Sequence, residues 1–222
     1  DIAAEMDVHL RTRALTGQRV DETVVEALVE EDADQALLGW SGSLGGEGSV
    51  FSPNIDAVVE GAPCDVSLVT LHHETIGRPV ALAGPGPHSP TAAWRAVEFA
   101  TVDGTVPTLL NVQRPIAGDE TDPRDRGREV ISDVADQAGL DSTEYDTQVV
   151  VSDDVESAIL DTVGEYDTVC VGLSERSDVS RAMFGTIAER ISQEATGNVS
   201  IVRGSYDDSS VDGQMVETSR SK

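Results

Sequence analysis

The sequence predicts an α/β protein: an open, parallel five-stranded sheet with helices on both faces, in tandem with a partial copy of the same unit. Two observations predict it. From residue 79 onward, short β-branched and apolar runs alternate with stretches whose apolar residues recur at helical spacing. In addition, residues 34–70 overlay residues 167–203 without a gap at an offset of 133 positions.

The complete unit is expected over residues 76–204. Pro79 to Ala83 is a short apolar strand, and Ser89 to Ala100 a helix with Ala93, Val97 and Ala100 on one face. Thr105 to Val112 reads as a strand, Ile116 to Pro123 as a breaker-rich loop. Arg124 to Ala138 is a helix burying Val130, Ile131, Val134, Ala135 and Ala138. Tyr145 to Val151 is a strand, and Asp153 or Asp154 caps the helix carrying Val155, Ala158, Ile159 and Val163. Thr168 to Gly172 is a strand, a helix follows from Thr186 to Ala195, and Asn198 to Arg203 is the last strand. Such alternation implies parallel strands with helical crossovers.

The partial unit is expected over residues 1–75. Val8 to Leu15 alternates like a strand, Val20 to Glu31 is helical, and Gln35 to Gly39 is an apolar strand. A Gly- and Ser-rich loop runs from Ser41 to Ser52, a helix begins at Asn54, and Val66 to Leu71 is a strand. Under the offset, Gly39 meets Gly172, Phe51 meets Phe184, and Val66, Ser67 and Val69 meet Val199, Ser200 and Val202. The first copy therefore lacks the opening two strand–helix units of the second. Residues 205–222 are polar and are expected to be a disordered tail.

Composition narrows the function. Apolar residues make up 39% of the chain, enough for a core. The net charge is −26, from 41 acidic against 15 basic residues, and Lys222 is the only lysine. That charge repels phosphate backbones and anionic lipids, which argues against nucleic acid and membrane-surface partners. Abundant acid with almost no lysine resembles proteins of extreme halophiles, whose high-salt cytoplasm screens self-repulsion. No apolar run is long enough to span a bilayer. Cys64 and Cys170 make no disulfide framework or zinc site and are read as buried free thiols. The opening Asp1 and Ile2 lead us to expect a piece of a longer protein.

In an open parallel sheet, ligands bind beyond the carboxyl ends of strands, near the topological switch. Here those ends carry Gly84 and Gly172, and glycine lets backbone approach a ligand. Gly185 and Thr186 open a helix whose free N–H groups suit an anion. The alternative is that these glycines are structural punctuation. His72 and His73 sit in the connection between copies and, being adjacent, point apart; a linker is the better reading than a metal site. His88 reads as a turn residue. No catalytic constellation is assignable.

Residues 79–204 resemble the universal stress protein family, whose fold is of the adenine nucleotide alpha hydrolase type. Gly172 and the Gly185–Thr186 pair match the first and last parts of that family's nucleotide motif, Gly, two residues, Gly, nine residues, Gly with Ser or Thr. Glu175 stands where the middle glycine belongs, and Gly84 where the family places an Asp against the nucleoside. Arg176 and Arg181 could offset Glu175 or be solvated surface residues. In the first copy Gly39 and Gly42 match, while Ser52 and Pro53 replace the final pair; proline also removes a backbone donor. The resemblance implies ATP or AMP as ligand through Gly84, Gly172, Gly185 and Thr186, no metal, and a homodimer joined through the last strands. It further resembles the cytoplasmic tails of haloarchaeal amino-acid transporters. Three functions stay open: a non-enzymatic regulatory tail joined to a membrane transporter domain, a free-standing ATP- or AMP-binding protein, or an interaction module whose site has decayed.

Overall fold

Strand β1 (Gln35–Gly39) and strand β2 (Asp65–Thr70) precede β3 (Pro79–Leu82), β4 (Thr108–Gln113), β5 (Asp146–Val151), β6 (Thr168–Gly172) and β7 (Asn198–Arg203). The helices are α1 (Val20–Glu30), α2 (Pro53–Gly61), α3 (Ser89–Asp103), α4 (Pro123–Gln137), α5 (Val155–Val163) and α6 (Thr186–Glu194). They come from a computed structural model that describes residues 9–40, 53–118, 120–173 and 186–205. The expected tail beyond Ser205 and the loop from Ser41 to Ser52 lie outside the described residues.

Local chemistry sets the helix ends. The Asp122 side chain accepts from Arg124 N at 2.8 Å, with Pro123 opening α4 where its missing N–H costs nothing. Of the two candidate caps for α5, Asp154 is the one used: it accepts from Ser157 N at 3.0 Å. Helix α3 stops at Gly104, in the left-handed region at φ 63°.

The strand order is β1-β2-β7-β6-β3-β4-β5 in one seven-stranded sheet. The expected parallel five-stranded sheet is its β7-β6-β3-β4-β5 part. Strands β1 and β2 are parallel to each other, but β2 joins β7 antiparallel, so the two parts form one continuous sheet. Both sheet faces are buried over β3, β4, β6 and β7, while the edge strand β5 is half-buried to exposed. One carries Val80, Leu110, Val169, Val199 and Ile201, continuous with Val66 and Leu68. The other carries Ala81, Leu109, Cys170 and Val202 beneath α3 and α4. Cys64 and Cys170 are both buried and free, and burial pushes the Cys170 thiol up to about 12, the nearby Arg95 opposing only in part.

The sequence offset reappears as register. Gln35 pairs with Asp65 as Thr168 pairs with Asn198, and Gly39 with Val69 as Gly172 with Val202. At the antiparallel joint Leu68 faces Ile201, its own counterpart, while Ser67 faces Val202 and Val69 faces Ser200. A local two-fold axis therefore runs through the Leu68–Ile201 pair. The clamps obey it too. Ser205 N donates to Asp65 Oδ1 at 2.7 Å, and His72 N donates to Asn198 Oδ1 at 2.9 Å.

Val8 to Leu15 departs from expectation. Residues 9–17 form no strand and are exposed, held by Arg11 and Arg13 to Glu31 at the end of α1. The alternation is real, but a strand needs a neighbour, and among the described residues the sheet ends at β1 without pairing this segment.

Ser67 and Ser200 flank the axis, each fully buried, with hydroxyls that find no partner among the described residues. An unsatisfied buried hydroxyl costs about 1–3 kcal/mol. Ser67→Ala and Ser200→Ala are therefore each expected to raise the melting temperature in denaturation followed by circular dichroism. A fall in both would show that the hydroxyls are paired.

Candidate functional site

The chain runs outward from β3 through β4 to β5, then returns to β6 on the other side of β3. The switch point thus lies between β3 and β6, whose carboxyl ends are followed by Gly84 and closed by Gly172. A cavity of about 500 Å³ opens there, within the range of small-ligand sites. Gly84 and Gly172 both line it, as does Ile187, the residue after Thr186. Three of the four sequence-selected positions are therefore placed at or next to one cavity. Thr186 is the first residue of α6, so the helix N-terminus stands beside the cavity. Gly185, Glu175, Arg176 and Arg181 lie outside the described residues.

Gly172 is needed for a close approach. A Cβ there would stand 2.8 Å from His88 C and 2.9 Å from both His88 O and Ser89 N. The turn from Gly84 to His88 can fold over β6 only because this side chain is absent. His88 is more than a turn residue: its buried ring accepts from Gly204 N at 3.1 Å and ties the start of α3 to the chain leaving β7.

The walls are mainly apolar, from Leu82, Leu110, Val130, Val155, Ile159 and Val171. Two carboxamides supply polarity at the end of β4. Buried Asn111 donates from Nδ2 to Ala83 O at 2.7 Å and accepts from Gln113 Nε2 at 2.7 Å. Both residues line the cavity, and Gln113 Oε1 and one N–H of each carboxamide take no further hydrogen bond among the described residues. Sequence reasoning missed this pair. Its signal was two amides at alternating positions in an otherwise apolar strand end. It missed Asn198 as well, where an Asn opens the last strand.

Chemically, the arrangement offers a mainly apolar cavity, two carboxamides able to donate and accept, and helix N–H groups suited to an anion. The first copy offers less. Gly39 closes β1, but among the described residues no strand lies on its other side to supply a second wall.

The sequence model of the universal stress protein family matches residues 80–203. No curated protein matches the chain. Among solved structures, one from Pseudomonas aeruginosa UCBPP-PA14, described as a universal stress protein, aligns at TM-score 0.57 and 13% identity, covering 90% of this chain and 75% of that one. A universal stress protein from Archaeoglobus fulgidus DSM 4304 aligns at TM-score 0.54 and 18% identity, covering 85% of this chain and 66% of that one. At these identities the structures speak for the fold alone. The family match takes in every strand from β3 to β7 together with the switch-point cavity, and the chain belongs to the universal stress protein family.

Proposed function

We propose that this chain is a regulatory module that binds an adenine nucleotide and has no catalysis of its own. The observation that carries the reading is the cavity between β3 and β6, flanked by Gly84, Gly172 and the N-terminus of α6. A base would lie in the apolar slot against Asn111 and Gln113, with phosphates, as in ATP or AMP, directed toward the helix start. Gly84 in place of a carboxylate leaves the carboxamides to do the recognition.

The finer reading is a cytoplasmic tail joined to an amino-acid transporter in a high-salt cell, acting through ligand-linked changes in packing. What supports it is the resemblance to such tails and the charge of −26. No described helix is long and apolar enough to cross a membrane, so the transporter spans would belong to another part of the parent chain. One structural fact favours this over a free-standing dimer joined through its last strands. β7 has β6 on one edge and β2 on the other, so its pairing edge is occupied within the chain.

The test is calorimetric titration of the 222-residue chain with AMP and with ATP, at low and at high KCl. We expect saturable binding that strengthens with salt, since screening weakens the repulsion between an anionic ligand and an acidic protein. Gln113→Leu should weaken binding about 10-fold, the value of one lost hydrogen bond to a ligand, and lower the melting temperature modestly, since buried Asn111 Oδ1 loses its donor. Absence of heat and of thermal shift with both nucleotides would leave the interaction-module reading standing instead.

A further inference from the structure

The two carboxamides at the end of β4 form a relay with only one allowed direction. It starts at Ala83 O, a carbonyl that can only accept. The end of Asn111 that faces it at 2.7 Å must therefore be the amino end, Nδ2. That leaves Oδ1 facing Gln113, and an oxygen there can be met only by the Gln113 amino end, Nε2, at 2.7 Å. Turning either carboxamide over would set oxygen against oxygen or amino group against amino group. A side-chain amide can ordinarily present either end to a ligand. Here a backbone carbonyl settles the choice through Asn111.

Packing holds the first link in place. Asn111 is 7% exposed. Helix α4 approaches it through a glycine: a Cβ at Gly127 would stand 3.1 Å from Asn111 Oδ1 and closer still to Val149 Cγ1. The other end is fixed as well, since Ala83 N donates to Leu110 O at 2.9 Å across the β3–β4 pair. Gln113 is the half-buried end of the relay. Both carboxamides line the switch-point cavity.

We infer that Asn111 is a positioning residue: by holding the Gln113 carboxamide in one orientation, it makes the cavity discriminate a 6-amino purine from a 6-oxo purine. The inference rests on the adenine-nucleotide reading given above. Adenine offers an amino donor beside a bare ring nitrogen, and a side-chain amide can meet such a pair with its oxygen and an N–H. Hypoxanthine offers the reverse, an oxo acceptor beside a ring N–H. An amide free to turn over would serve either base. A fixed one serves one of them and sets like groups against the other. The relay acts on the base alone. AMP and inosine monophosphate carry the same phosphate, so the chain's charge of −26 and the salt act on both alike, and the ratio of their affinities is independent of KCl.

The experiment is calorimetric titration of the full chain and its variants with AMP and with inosine monophosphate, in one high-KCl buffer. The native chain is expected to bind AMP about 10-fold or more tightly than inosine monophosphate. Gln113→Leu should bring the two affinities to within about 2-fold of each other, since the discriminating amide is gone. Asn111→Leu should do the same by a different route: Gln113 is released to turn over, so inosine monophosphate gains affinity. Asn111→Asp still accepts from Gln113 Nε2 and should keep the native ratio. Both Asn111 variants leave Ala83 O without its donor and should lower the melting temperature. A merely structural Asn111 would therefore move the two ratios together. The inference is overturned by a native ratio near one, by a preference for AMP that survives Gln113→Leu, or by loss of the preference in Asn111→Asp as well as in Asn111→Leu. Failure of both nucleotides to bind the native chain would overturn the nucleotide reading, and the inference with it.

Discussion

Asn198→Ala is expected to lower stability by about 2–3 kcal/mol, the scale for leaving several buried groups without their partner. The Asn198 side chain is 2% exposed and fully engaged. Its Oδ1 accepts from His72 N at 2.9 Å and His73 N at 3.0 Å, and its Nδ2 donates to Thr75 O at 2.9 Å and Thr168 Oγ1 at 3.3 Å. One side chain therefore anchors the connection between β2 and β3 to the starts of β6 and β7. Alanine removes every one of these bonds at once. For a chain of this size the melting temperature should fall by about 5–10 °C. The two-fold counterpart gives an internal comparison. Asp65 accepts from Ser205 N and Oγ, both on an exposed residue that water can satisfy, so Asp65→Ala should cost clearly less. Equal losses for the two variants would refute the anchoring role given to Asn198.

Gly172→Val is expected to cost about 2–4 kcal/mol and to abolish nucleotide binding, because the new side chain meets backbone rather than a yielding side chain. The Cβ alone would stand 2.8 Å from His88 C. Relief requires moving the Gly84–His88 turn, which is also a wall of the cavity. Stability and binding should therefore fall together, measured by denaturant unfolding and by nucleotide titration. Gly39→Val provides the contrast, with the same strand position and no neighbour within 4 Å, and is expected to change stability by no more than about 0.5 kcal/mol. If the two variants behaved alike, the close packing at Gly172 would not be what requires glycine there.

Much of this was legible in the residues. Runs such as Thr168 to Gly172 are apolar at nearly every position because a central parallel strand is buried on both faces. The capping Asp154 and the terminating Gly104 have chemical signatures of their own. Gly84 and Gly172 stood out because ligand sites in such sheets lie at strand ends. Asn111 and Gln113 were harder to find, since a polar residue near the end of a strand is commonly just meeting solvent. Only the fold turns these two toward the cavity. Val8 to Leu15 misled for the opposite reason: its alternation describes a strand whose partners are not beside it.

By itself the sequence determined the order of strands and helices and the two strand ends, after β3 and at β6, that flank the switch point. Each is written in side-chain burial and glycine placement, which local spacing reports directly. Only the tertiary structure decided how the parts join. The antiparallel contact of β2 with β7 is made by backbone N–H and C=O groups, identical at every residue and so silent in the sequence. The Asn198 clamp reaches across more than a hundred positions of the chain.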